Sequence, residues 1–342
     1  MKKNLYCLLH IFILISFSTV PLFAGGNKEA PASLALEVYC YDSFSSEWGP
    51  GPSIIESFTE QTGIRVNLHA PGDAVTVLQR LIFEKAEPWA DVVIGLDNSL
   101  LDTALAEGIL EPYASPGLRN VPDHLVFDGS HHLLPYDYGH YAINYDTLFM
   151  ENPPDSLEDL TAAEYKDQLI LVDPRTSTPG LGFLLWTVTV YADEWPAYWK
   201  RLRPSILTIA DGWSQAYALY TSQEAPMVLS YGTSPVYHVE YEGSGRYAAL
   251  EFTDGHIMQI EGMGIINGTE NRSAAEALID FMLEKEAQGI LALSNIMLPV
   301  RKDVPLPPSF DSVLRPAQIL ALPSGLEDTG QLIDRWVEVF TH

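Results

Sequence analysis

The sequence predicts an α/β fold in which mainly parallel strands are flanked by helices and the chain is divided into two lobes. Three observations carry this: apolar strand-like runs alternate with amphipathic helical runs, glycines stand where those helices should stop, and the 342 residues exceed what one small core organises. In chain order the first series reads as a strand over 36–40, a helix over 53–62, a strand over 65–68, a helix over 74–84, a strand over 91–95 and a helix over 100–107. Gly63 and Gly108 follow the first and last of these helices, where a residue of left-handed backbone belongs. A second series begins after Tyr145, with a strand over 169–172, helices over 181–191 and 213–220, and a strand over 227–230. Helices over 273–283 and 329–340 form the tail. Pro305, Pro307 and Pro308 mark an exposed loop rather than a border, and no repeat of fixed period is present.

The first residues are of another kind. Lys2 and Lys3 precede an uncharged apolar stretch over 5–24 that closes in Leu22, Phe23 and Ala24. That order of basic, apolar and small-residue regions predicts a signal peptide over 1–24, cut after Ala24, and so an exported protein. A retained membrane helix is the competing reading, because the run approaches the ~20 residues that span a bilayer. Ser16, Ser18, Thr19 and Pro21 weaken it, and Cys7 lies too far inside the segment to carry a lipid at the cut.

Removing residues 1–24, which hold two lysines and no acidic side chain, takes the formal charge from −26 to −28. So acidic a surface disfavours nucleic acid and anionic lipid as partners. It is compatible with capture of a cation, and equally with an exported protein kept soluble by its charge. Cys40 alone remains beyond residue 24, which excludes an intramolecular disulfide there. Stability must come from a core, which a 47% apolar content supplies.

Four segments carry candidate chemistry. Tyr41 and Asp42 fall just past the carboxyl end of the first strand, where open α/β sheets collect ligands, and Trp48 follows before Gly49 and Pro50. A ring face beside an anion suits an aromatic cation. The run Asp173-Pro174-Arg175-Thr176-Ser177-Thr178-Pro179-Gly180 lies between a strand and a helix: Thr178 can cap, Pro179 suits the first helical position, and free first-turn amides would offer an anion a seat. Arg175, Ser177 and Thr178 could add to it. Trp213 opens a further helix, and Tyr231, Ser234 and Tyr237 follow the strand over 227–230 in a segment too polar for core. Each segment has an ordinary explanation as well, in a turn, a capped helix or a packed ring. Yet Tyr41, Trp48, Trp213, Tyr231 and Tyr237 all lie at element ends, a distribution that favours ligand stacking, with roughly 0.5 to 2 kcal/mol per cation–π contact.

The runs YDSFSSEWGPGP from Tyr41, ADVVIGLDNSLLD from Ala90, PYDYGHYAINYD from Pro135, DPRTSTPGLGFLLW from Asp173, GWSQAY from Gly212 and LSYGTSPVYH from Leu229 resemble the thiamine-binding periplasmic proteins of bacterial ABC importers. These are type II solute-binding proteins. The runs come in the same order across nearly the whole chain after the signal segment. The resemblance implies a two-lobed α/β protein that closes on thiamine, thiamine monophosphate or thiamine diphosphate in an interlobe cleft. It would deliver the ligand to an ABC permease, act as a monomer, and use no cofactor or metal and catalyse no reaction. It further implies two crossings between lobes, placed here at 138–145 and 256–264. Lobe one would hold residues 33–137 and 265–342, and lobe two residues 138–264.

Carried over residue by residue, the resemblance places Tyr41 and Trp48 on the lobe-one side of the cleft and Trp213, Tyr231 and Tyr237 on the other. Asp42, Asp97 and Asp137 would be the carboxylates near the thiazolium or the exocyclic amine; Asp97 reads equally well as a cap. Ser177, Thr178 and Ser234 would meet the hydroxyethyl arm or its phosphate. One departure stands out: where members of the family carry a ligand-enclosing tryptophan, this chain has Ile296, which offers apolar cover without a π face.

Two rivals share the fold. A thiamine-cleaving transferase would need a cysteine nucleophile paired with a base, and Cys40 sits inside a predicted buried strand. A ferric-ion binder would use adjacent tyrosines, but Tyr231 and Tyr237 are separated by Pro235 and lack a set of neighbouring ligands. His131 and His132 have no metal-ligand spacing with other histidines and read as loop residues.

Overall fold

A computed structural model of the chain describes residues 35–322 and 329–341; the expected signal peptide lies outside the described residues. The chain enters through β1 (Ala35–Cys40) and one turn of helix, α1 (Asp42–Ser45), followed by α2 (Pro50–Thr62), β2 (Arg65–His69), α3 (Ala74–Glu84), β3 (Val92–Asp97), α4 (Leu101–Glu107) and β4 (Leu110–Glu111). The long β5 (Leu134–Asp146) leads to β6 (Leu169–Val172), α5 (Thr178–Tyr191), α6 (Trp195–Leu202), β7 (Ile206–Ala210), α7 (Trp213–Thr221), β8 (Met227–Tyr231), α8 (Pro235–Glu242) and β9 (Tyr247–Ala249). A second long strand, β10 (His256–Ile266), returns to α9 (Arg272–Met282), α10 (Lys285–Ser294), β11 (Leu298–Pro299), β12 (Ile319–Leu320) and α11 (Thr329–Thr341).

The main strands follow the order β2-β1-β3-β10-β5-β8-β6-β7. At either end the strands are parallel, β1 with β2 and β3, β6 with β7 and β8, because helices carry the chain back over the sheet between them. The middle departs from the mainly parallel expectation: β10 is antiparallel to β3 and β5, and β5 is antiparallel to β8. Of these, β5 belongs to both parts of the sheet. The first part of β5 pairs with β10, from Leu134 opposite Met263 to His140 opposite Met258, whereas Tyr141 to Tyr145 pair with β8. The segments 138–145 and 256–264 thus fall inside β5 and β10.

Local chemistry explains most boundaries. Gly63 and Gly108 close α2 and α4 at φ of 74° and 63°, a region in which a Cβ would be strained. Helix α2 starts at Pro50, three residues before the expected start, because Pro50 and Pro52 occupy a first turn whose amides need no intrahelical partner. Ile54 and Phe58, one turn apart on α2, are fully buried, each worth about 1.5–3 kcal/mol of burial. Helix α5 is buried from Thr178 through Thr187 and apolar all round, and Trp186 donates from Nε1 to the Gly255 carbonyl at 3.0 Å, so its one polar handle is satisfied.

Candidate functional site

A cavity of about 650 Å³ opens between the two halves, at the carboxyl end of β1 and the starts of α5, α7 and α8. Tyr41 reaches it from the end of β1. Its ring packs against Gly95, where a Cβ would come within 2.2 Å of a ring carbon and where φ is 107°, so glycine is required at that place on β3. The Tyr41 hydroxyl donates to Glu261 at 2.8 Å and accepts from Asn295 Nδ2 at 3.0 Å.

The facing wall is aromatic. Trp213, at the first position of α7, stacks on Tyr217 with centroids 5.0 Å apart and planes inclined by 20°. Its Nε1 donates to Ser230 Oγ at 2.8 Å, and Ser230 is in turn bonded to Ser234. The Tyr217 hydroxyl lies 2.9 Å from His238 Nε2, while His238 Nδ1 lies 2.8 Å from Glu242. Tyr231 stacks on Tyr141 at 5.5 Å, and Tyr237 leans on Tyr241 at 5.6 Å. Trp48 crosses from the other half to within 6.4 Å of Trp213 and stays 59% exposed, a ring with a face still open to the gap.

Seven of the expected residues line this cavity together: Tyr41, Trp48, Thr178, Trp213, Tyr231, Ser234 and Tyr237. The other four do not. Asp42 is exposed on α1, where its carboxylate accepts from the Ser43 amide and from Ser214 Oγ. Asp97 is fully buried and takes four donors, from Ser99 N and Oγ, Tyr141 and Gln259, which makes it a structural anchor rather than a ligand contact. Asp137 is fully buried behind Asn295, which donates to its Oδ2 at 2.7 Å. Ser177, not Thr178, holds the cap position of α5. Its hydroxyl does not cap the helix but donates to Asp73 at 2.5 Å. Arg175 is held away from the cavity by its ion pair with Asp173.

Sequence reasoning missed Asp73, Tyr217, Glu242, Glu261 and Asn295, all of which line the cavity. Asp73 had a legible signal as the residue before α3, and it does accept from the Ala74 amide; the same carboxylate also receives Ser177 Oγ and the Trp213 amide. Glu261 lay hidden inside a stretch expected to be a hinge. Burial raises both carboxyls, Glu261 to about 7, against the lowering effect of the hydroxyls bonded to them. The lining carries three carboxylates, Asp73, Glu242 and Glu261, and no Lys, Arg or His. Rings on two sides and only acidic groups among the ionisable lining suit a flat cation.

Known proteins share this arrangement of chain. Residues 87–318 match the family of bacterial extracellular solute-binding proteins. A thiamine-binding periplasmic protein of Brucella melitensis biotype 1 is 41% identical over 314 residues, covering 91% of this chain and 93% of its own length. The thiamine-binding periplasmic protein of Escherichia coli is 38% identical over 311 residues, with 90% of each covered. Among solved structures, a periplasmic thiamin binding protein matches with a TM-score of 0.82 at 35% identity, over 90% of this chain and 96% of that one.

Proposed function

The chain belongs to the bacterial extracellular solute-binding proteins, and on that premise we propose that it captures thiamine and its phosphate esters for an ABC importer. Its fold is that of the two-lobed type II periplasmic binding proteins. The observation that carries the ligand reading is the cavity of about 650 Å³ whose walls are rings and whose only charged side chains are acidic. That volume lies within the few hundred to about 1,000 Å³ usual for small-molecule sites.

Thiamine pairs a permanently positive thiazolium with a flat aminopyrimidine, so opposed aromatic walls hold it without any proton donor being essential. Trp48 supplies one face and the Trp213–Tyr217 stack another, with Tyr231 and Tyr237 beyond them. Glu261 and Asp73 supply the negative potential, and Thr178 and Ser234 offer hydroxyls to the alcohol arm or its phosphate. The ligand leaves unaltered in this reading. Cys40, the thiol a transferase on this fold would need, is fully buried outside the cavity lining, and desolvation pushes its pKa up to about 12. Thiamine-binding relatives named as periplasmic support the same compartment for this protein, and we take a membrane permease as its partner and the monomer as its working form.

Calorimetric titration of the protein lacking residues 1–24 with thiamine, its monophosphate and its diphosphate in one buffer tests the reading. A saturable heat with at least one of the three is expected. No heat with any of them overturns it.

A further inference from the structure

Three carboxylates stand side by side across the middle of the sheet. Asp97 on β3 and Asp137 on β5 are both directly opposite Glu261 on β10, so the three share one face, an arrangement that repels when all are charged. Their surroundings differ. Asp97 has four hydrogen-bond donors. Glu261 has two phenols, Tyr41 and Tyr136, both donating to the same oxygen. Asp137 has only Asn295 on Oδ2, while its Oδ1 is buried with no partner. A carboxylate oxygen buried without a donor favours the protonated acid.

The titratable groups that act most on Glu261 are acids and phenols: Tyr41 at the end of β1, Asp73 before α3, Asp97 on β3, and Tyr136 and Asp137 on β5. Tyr141 on β5 and Tyr231 on β8 feel the same charge from further off. Of the three in the row, Glu261 alone reaches the cavity. A cation arriving there therefore meets a carboxyl that has no ion-pair partner among the described residues that line the cavity and is bonded through Tyr41 and Asn295 to the acid behind it.

We propose that Glu261 is the counter-charge for the cationic ligand, and that capture expels to solvent the proton it holds in common with Asp137. The carboxylic O–H bond breaks, its electron pair stays on the carboxylate, and the proton leaves through the cleft mouth. Titrating groups coupled this closely behave as one pair, so the released proton belongs to the pair rather than to either residue. Capture is then favoured by higher pH and release by local acidity. The inference rests on the thiamine reading above and deepens it.

The experiment is titration with thiamine chloride at about pH 6, 7 and 8 in two buffers of different ionisation heat. We expect net proton release near neutrality, and affinity about tenfold weaker at pH 6 than at pH 8. Glu261→Gln should bind without proton release, nearly independent of pH, and match the parent only at the acidic end. Should that variant fold poorly, Tyr41→Phe removes one donor to the carboxylate and should move the parent's pH midpoint upward. Saturable binding with no buffer-dependent heat and no pH trend overturns the inference and leaves the ligand reading standing. No heat at any pH overturns the ligand reading, and the inference with it.

Discussion

The carboxylate of Asp73 accepts the backbone amide of Trp213 at 3.2 Å and the hydroxyl of Ser177 at 2.5 Å through the same oxygen. One side chain from the loop before α3 thereby closes onto the starts of both α5 and α7, the two helices that present the far wall. The positive ends of those helices make an anion welcome there, and the protein's own carboxylate occupies the place. Asp42 with Ser214, and Thr76 with Thr176, add weaker bonds across the same gap.

Asp73→Asn should therefore loosen closure more than it unfolds the chain. It keeps an acceptor for the Ala74 amide, so the cap of α3, worth typically about 1 kcal/mol, is largely preserved. The attraction to the two helix starts, up to about 2 kcal/mol in partly buried geometries, is lost. Ligand affinity by calorimetry should fall by about tenfold while the denaturant midpoint moves little; an unchanged affinity would remove Asp73 from the closure.

Trp213→Ala removes the outer ring of the Trp213–Tyr217 stack and its bond to Ser230. A loss of roughly 0.5–2 kcal/mol per cation–π contact predicts affinity lower by about two- to thirtyfold. Thiamine titrations of parent and variant check this, and Trp213→Phe should recover part of the difference. Equal affinity of parent and alanine variant would show that the ring is packing and not a contact.

Ile296 sits at φ 55°, a left-handed conformation that is a true outlier for a β-branched residue, and it lines the cavity. Ile296→Trp supplies the missing π face and removes the branch at Cβ from a strained position. Tighter thiamine binding is expected, by about two- to thirtyfold for one added ring contact, with thermal stability held or slightly raised. A weaker binder that melts earlier would mean that the small cluster of Val236, Ala292, Leu298, Phe310 and Val313 has no room for the indole.

Stability of the unliganded protein should depend on pH through Glu261. Burial pushes its carboxyl up from the ordinary 4.5 to about 7, so between those values the folded state holds a proton, in common with Asp137, that the unfolded state has released. The contribution is complete below about 4.5, is lost as pH rises through about 7, and is constant above. Thermal melts across that window should fall more steeply for the parent than for Glu261→Gln; parallel curves would show that the carboxyl is already ionised in the free protein.

Cys40 lies in β1 with no exposed surface and with its pKa pushed up to about 12. Iodoacetamide at mildly alkaline pH should leave it unmodified in the folded protein and alkylate it in denaturant, as read by mass spectrometry. Rapid alkylation of the native protein would restore the thiol as a candidate nucleophile.

Much of the outer frame was legible in the sequence. Gly63 and Gly108 announced the ends of α2 and α4, and the alternation of strand and helix matched the parallel pairs of β1 with β2 and β3 and of β6 with β8, whereas the edge strand β7 was not foreseen. The middle was harder, because β5 and β10 carry Asp137, Gly139, His140, Glu261 and Gly262 among their apolar residues and so read as extended crossings instead of central strands. Helices α6, α8 and α10 were not foreseen. Pro196 and Pro235 in the first turns of α6 and α8, and Gly289 within α10, mask the helical pattern of these short segments.

Residue type and position along the chain were enough to determine that rings at element ends gather around a gap, since a strand end and a helix start project their side chains outward whatever else surrounds them. Which acid serves that gap was decided by the tertiary structure. Asp97, Glu261 and Asp137 become neighbours only when β3, β10 and β5 pair in register, and that pairing leaves one at the cavity and buries the other two. Local sequence sets the charge a residue can carry, whereas long-range strand pairing sets its solvent, its donors and its like-charged neighbours, and these determine whether the charge is used.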